Sequence, residues 1–394
     1  MAQDWGSIDE PREGDARRGL RNEENRPQHI VLHSVRIMRI QVQWESRRVV
    51  VFLGLLAVLS EGLLGANSSY VSPIFLPHPM TMLLRSQAVH RELGLNAGQQ
   101  AAIVEAVEEV ELPLWRLRDL PSEERAAAAG PLLQSLRAEL ARILTVRQLE
   151  RLDQLIRQAH GIRAVFEPPV AAALNLSDGQ RNRLRTLLNT SIRPSDRVRA
   201  ERSALAVLSD PQKRALAVLM GAPFDLSRVQ RIACRAPELE RVTTWINSPA
   251  LTLNELGGKV VVVHFYTFGC INCIRNLPHY NDWHERFAGN DLVVVGIHRP
   301  ETKGEHDLTR VREKAMEAGI AYPAAVDNES RNWDAWANRI WPSVYLIDRN
   351  GFVRYWWYGE LNWQGTQGEK WMRDRIVELL AEPYTASGGS QADS

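Results

Sequence analysis

The chain has 394 residues, 44% of them apolar and 24% charged, with 48 basic side chains against 47 acidic ones. That length accommodates two or three ordinary globular domains, and the even charge argues against a nucleic-acid partner, because the arginines are interspersed with carboxylates instead of gathered in a basic tract. Three cysteines are too few for a disulfide-stapled scaffold, so any thiol chemistry must be local.

Residues 1–48 are polar and charge-rich without apolar periodicity, which predicts a disordered segment. Arg47-Arg48 then precede VVVFLGLLAVL, and the apolar character continues past Glu61 to Ala66. Residues 49–66 read as an export signal, either a cleaved signal peptide or a membrane anchor. Arg36, Arg39, Arg47 and Arg48 flank one side only, which keeps the N-terminus cytoplasmic and sends the rest across. The remainder is therefore expected to be extracytoplasmic, in the periplasm, soluble after cleavage or tethered through 49–66.

Residues 80–230 are rich in Ala, Leu, Arg and Glu and carry one short element four times: LNAGQ at 95–99, LTVRQ at 144–148, LSDGQ at 176–180 and LSDPQ at 208–212. Asn96, Thr145, Ser177 and Ser209 are capping side chains, and a glutamine stands three residues after each, where a capping box places its reciprocal partner. Leucines at helical spacing follow, so an all-helical domain with at least four helices is predicted. His160 reads as a solvated turn residue, with no second ligand near it in sequence to hold a metal. The Leu-Thr-x-x-Gln form of the elements resembles helical periplasmic proteins of the Spy and CpxP type, and that resemblance implies a binding or chaperone module.

Composition changes near Ala236-Pro237, since nine of the twelve tryptophans lie between residues 245 and 371. Residues 237–384 alternate strand and helix, and 385–394 form a polar tail expected to be disordered. KVVVVHFY (259–266) and LVVVGI (292–297) are apolar runs suited to strands covered on both faces, and the segment between them keeps helical spacing. SVYLID (343–348), RNG (349–351) and FVRYWWY (352–358) read as a hairpin, followed by a last helix.

Between the first strand and its helix lies Cys270-Ile271-Asn272-Cys273. Cys270 falls at a helix N-terminus, where unpaired N–H groups and the helix dipole favour a thiolate; Cys273 lies one turn in and more deeply placed. That divides the pair into an attacking and a resolving thiol. Pro278 removes a backbone donor from the same helix.

These features resemble the thioredoxin-like family, in its TlpA-like and redoxin group, and most closely the thioredoxin-like C-terminal domain of DipZ-type thiol transporters. The resemblance rests on CINC, on Pro278, on Trp341-Pro342-Ser343 in the place of the cis-proline, and on the blocks LTLNELGGKVVVVHFYTFGCINC, GIHRPETKGEH and IWPSVYLIDRNG. It implies an α/β domain with a central sheet flanked by helices, and thiol-disulfide exchange. Trp341, Pro342, Ile271 and Asn272 would line the substrate groove. Partners would be protein disulfides or dithiols and an upstream thiol electron donor or acceptor, with no cofactor and no metal. Where most relatives carry a buried Asp, six residues before the first cysteine, this chain has His264, which is either a neutral buried imidazole or the proton acceptor for Cys273. Glu301 resembles a carboxylate that TlpA-like proteins place near the cysteines. Cys234 reads as an inert buried thiol. Two alternative readings stay open. A peroxiredoxin-like peroxidase is suggested by Thr267, although Val263 stands where those enzymes have proline. The other is a helical binding module with an accessory thioredoxin fold.

Overall fold

The computed structural model describes residues 76–384, apart from 190–193, 240, 288 and 290. The polar N-terminal stretch, the expected export segment 49–66 and the tail 385–394 lie outside the described residues. Among those described, no helix is long and apolar enough to cross a membrane.

Helices α1 (Pro79–Arg85), α2 (Gln87–Leu93), α3 (Ala97–Trp115), α4 (Ser122–Ile143) and α5 (Val146–His160) close around a core that includes Ile103, Val107, Leu140 and Leu155. Helices α6 (Pro168–Ala173), α7 (Asp178–Asn189), α8 (Pro194–Val207) and α9 (Asp210–Met220) close around a second, with Val170, Leu184, Leu208 and Leu216. All four capping boxes form. Asn96, Thr145, Ser177 and Ser209 accept from the N–H of the glutamine three residues on, and each glutamine oxygen accepts from the N–H of its cap residue.

The boxes are also paired, which their spacing in sequence does not announce. Gln99 and Gln148 exchange amide hydrogen bonds of 3.0 and 3.3 Å, and Gln180 and Gln212 do so at 2.8 and 3.1 Å. Each amide also donates to a carbonyl just ahead of its partner's box: Gln99 to Ile143, Gln148 to Leu93, Gln180 to Val207 and Gln212 to Leu174. One such pair serves each helical core, so the region repeats a single two-box unit.

After it come β1 (Cys234–Arg235), β2 (Trp245–Ile246), β3 (Val260–Tyr266), α10 (Ile271–Phe287), β4 (Leu292–His298), α11 (Leu308–Glu317), β5 (Ala324–Val326), α12 (Arg331–Ala335), β6 (Ser343–Ile347), β7 (Phe352–Tyr358) and α13 (Gly368–Ala381). The strands form one sheet in the order β1-β7-β6-β3-β4-β5-β2, with β3, β4 and β5 parallel and the other pairings antiparallel. Strand β3 is central and buried on both faces, which is why its sequence is continuously apolar instead of alternating. The expected hairpin joins β6 to β7. Gly351 supplies the positive φ at 83°, while the Asp348 side chain accepts from the N–H groups of Asn350 and Phe352.

One face of the sheet packs against α10, α11 and α13 through Val262, Leu277, Tyr280, Trp283, Val311 and Ile376. The other face carries Val261, Val263, Phe265, Tyr345 and Trp356, and its core also takes in Trp115 from the end of α3. The Trp115 ring meets Trp336, Tyr345 and Trp356 edge-on at 6.2, 5.6 and 6.1 Å. β1 lies upstream of Ala236-Pro237, where the change in composition is read as a boundary. The sheet thus begins before that point, and it shares a core with the helical region.

Candidate active site

Strand β3 delivers the chain to a turn, Thr267-Phe268-Gly269-Cys270, and α10 begins at Ile271. Cys270 is half-buried at this N-terminus and Cys273, one turn on, is fully buried; both are free thiols. The N–H of Cys273 donates to Cys270 Sγ at 3.3 Å. The Cys273 thiol, followed by the N–H groups of Cys273 and Asn272, stabilises the Cys270 thiolate and brings its pKa from 9.0 down to about 6. Burial pushes the Cys273 thiol the other way, well above its ordinary value. Ile271 is exposed and Asn272 half-buried, so both border Cys270 on the solvent side.

The Trp341–Pro342 bond is cis. Ser343, directly after it, pairs with Phe265 across β6 and β3, which puts the cis-proline loop and the cysteine turn at the same end of adjacent strands. Trp341 lies 4.2 Å from the Trp333 ring, and the Arg299 guanidinium stands 4.8 Å from it.

His264 is fully buried on the α10 face of β3. Its Nε2 lies 3.0 Å from the Tyr322 hydroxyl, its ring stacks on Tyr280 at 4.2 Å, and Nδ1 has no hydrogen-bond partner. Burial lowers its pKa to about 3, so the imidazole is neutral at physiological pH. Gly296 makes the space: a β-carbon there would stand 3.0 Å from Nε2. Tyr266 and Tyr280 complete the surroundings, and burial followed by the nearby Cys273 raises both phenols.

Glu301 is exposed, and its charge opposes ionisation of both thiols. A second carboxylate beside the cysteine turn is Glu305, which is 2% exposed and accepts from the N–H groups of Glu301 at 2.6 Å and Thr302 at 2.9 Å. Burial alone would raise its pKa, but the N–H groups of Thr302 and Glu301 more than offset that. Gly269 borders it, and a β-carbon at that position would collide with Glu305 Oε1. Thr302 and Glu305 have the capping-box spacing, a signal read in the helical region and passed over here. Arg299, Tyr266, Tyr280 and Tyr322 were also missed, because single aromatic or basic residues in apolar runs carry no motif.

Cys234 is buried in β1, where burial raises its thiol well above 9.0. His160 is not a free turn residue: its Nδ1 lies 2.9 Å from Glu167 Oε1. Among the described residues no cluster of three or more His, Cys, Asp or Glu could hold a metal.

Residues 232–356 match the AhpC/TSA family. Over 135 residues the chain is 39% identical to the protein DipZ of Mycobacterium tuberculosis, covering 34% of this chain and 19% of DipZ. It therefore spans about a fifth of that relative's length. It is also 28% identical over 146 residues to the thiol-disulfide oxidoreductase YkuV of Bacillus subtilis, covering 37% of this chain and 94% of YkuV. Among solved structures, a thiol-disulfide isomerase from Corynebacterium glutamicum aligns over 38% of this chain and 98% of its own, with 27% identity and a TM-score of 0.33. The C-terminal domain is thioredoxin-like, and the region before it is helical.

Proposed function

We propose that this thioredoxin-like domain makes the chain a thiol-disulfide oxidoreductase acting on protein disulfides outside the cytoplasm. The observation that carries the reading is the division between the thiols: Cys270 is accessible with a pKa near 6, and Cys273 beside it is buried and protonated. The Cys270 thiolate attacks one sulfur of a substrate disulfide, that bond breaks, and a mixed disulfide forms. The first substrate thiolate departs with the proton of Cys273. Cys273 then attacks Cys270 Sγ and releases the second substrate thiolate, leaving the substrate reduced by two electrons and the cysteine pair oxidised. An upstream dithiol recharges the pair, and the same steps in reverse oxidise a substrate.

Trp341, Pro342, Ile271 and Asn272 form the walls against which the substrate chain lies. His264 acts as a neutral support beneath Tyr280 and Tyr322, and Glu301 tempers the acidity of Cys270. A buried partner thiol favours exchange over the peroxidase reading, and the core shared by helices and sheet argues against an accessory fold. The extracytoplasmic setting rests on the apolar segment 49–66 behind Arg47-Arg48.

Full-length Cys273→Ser, expressed in cells, should accumulate mixed disulfides with its substrates, whereas Cys270→Ser should trap far fewer. A membrane-impermeant maleimide added to the intact cells should block that trapping. Equal trapping by the two variants would reject the division of roles, and trapping indifferent to the maleimide would reject the compartment.

A further inference from the structure

Nothing in the exchange site described so far comes from the helical region, yet a buried cation of that region ends against the cis-proline loop. Arg118 follows α3 by three residues, and its side chain is 2% exposed. The guanidinium stands 3.8 Å from the Trp115 ring centroid. Nη2 donates to the carbonyls of Trp336 at 2.8 Å and Ala337 at 3.1 Å and lies 3.1 Å from the Tyr345 hydroxyl, while Nε reaches the Tyr358 hydroxyl. Arg116, two residues earlier, donates to the Ala335 carbonyl at 3.0 Å. Three consecutive carbonyls, 335 to 337, are thus held by arginines from outside the thioredoxin-like domain.

Those carbonyls open the loop that leads from α12 into β6 and contains the cis bond. Ala337 has a φ of 48°, a left-handed conformation that a residue with a β-carbon adopts only when its surroundings hold it there. The hold continues along the loop. The Tyr345 hydroxyl, already at Arg118, donates to Asn338 Oδ1, and the Ser343 hydroxyl lies 3.0 Å from both Asn338 Oδ1 and the Ile340 carbonyl. Residues 336–343 are therefore fixed at their start by Arg118, at Asn338 by the Tyr345 hydroxyl that Arg118 also contacts, and further on by Ser343. Without it, two buried carbonyls and the Tyr345 hydroxyl would lose a charged donor.

We infer that Arg118 is a positioning residue: from the helical region it sets the loop that presents Trp341 and Pro342 to the substrate, which makes that region a working part of the exchange site. This rests on the exchange reading above.

The test uses the full chain with Arg118→Ala. Its kcat/KM for reduction of insulin should fall about tenfold, mainly through KM, while that for hydroxyethyl disulfide, too small to use the groove, should fall by about twofold or less. Hydrogen exchange should accelerate in segment 336–343, and the pH at which the Cys270 thiolate forms should not move. Tyr345→Phe removes only the hydroxyl link and should show the same pattern more weakly, so it decides the matter if Arg118→Ala does not fold. Equal losses on the two disulfides, or unchanged exchange in 336–343, would overturn the inference. If the unaltered chain reduces neither disulfide, the exchange reading itself fails, and hydrogen exchange alone then decides whether Arg118 holds the loop.

Discussion

The two thiols differ because one turn of helix separates an N-terminal position from an interior one. The Cys273 thiol and then its N–H stabilise the Cys270 thiolate while Cys273 itself is fully buried, so equal side chains acquire opposite acidities. With a folded pKa of about 6 against 9.0, the Cys270 thiolate favours the reduced fold fully above pH 9, and that contribution is lost as pH falls through 6. The rate of attack on a disulfide should follow the same limb, rising with pH to a midpoint near 6 when read by thiolate absorbance and by alkylation. His264, at about 3, should add no inflection in that range, whereas His264→Asp should introduce one because a buried carboxylate titrates above its ordinary value. A second inflection between pH 6 and 8 that is present with His264 and absent from His264→Phe would show that the imidazole titrates after all. The cysteines were legible in sequence because their spacing is itself the signal. The setting of His264 was not: Tyr322 meets it from 58 residues away, and only the folded sheet brings them together. Glu301 and Glu305 differ in the same way, since burial of one and exposure of the other follows from how the loop after β4 folds back on Gly269.

At the scale of elements, most of what depends on neighbours along the chain was readable, the Thr302–Glu305 box being the exception. The capping boxes, the unbroken β3 run and the Asp348-to-Gly351 turn are local devices, and all are present. The reciprocal amides were hidden because Gln99 and Gln148 are 49 residues apart and each is already accounted for by its own box. A double-mutant cycle can isolate that second role. Thr145→Ala should cost about 1 kcal/mol as a lost cap. Gln99→Ala and Gln148→Ala should each cost a similar amount, and the double variant should cost less than their sum by about 0.5–1 kcal/mol, because either single change already breaks the shared pair. Additive losses in urea denaturation would mean that the two boxes act independently and that the pairing contributes nothing to stability.

For the molecule as a whole, the decisive residue is Trp115, an indole in an otherwise aromatic-poor helical region, with ring partners in the thioredoxin-like domain. Composition changes sharply after residue 236 and suggests two independent domains, but composition records which residues a segment contains and not where they are buried. Trp115 is 1% exposed, and β1 with Cys234 closes the edge of the sheet beside β7. A fragment of residues 237–384 would lose both and would leave Tyr345 and Trp356 uncovered. Trp115→Ala in the full chain should therefore destabilise the sheet by about 3–5 kcal/mol, the usual cost of emptying a large aromatic site. The 237–384 fragment should unfold at a lower urea concentration than 76–384, or without a cooperative transition, when followed by fluorescence of the remaining tryptophans. Coincident midpoints for the two fragments would mean that the shared core adds nothing, and that the helical region is carried by the sheet without supporting it.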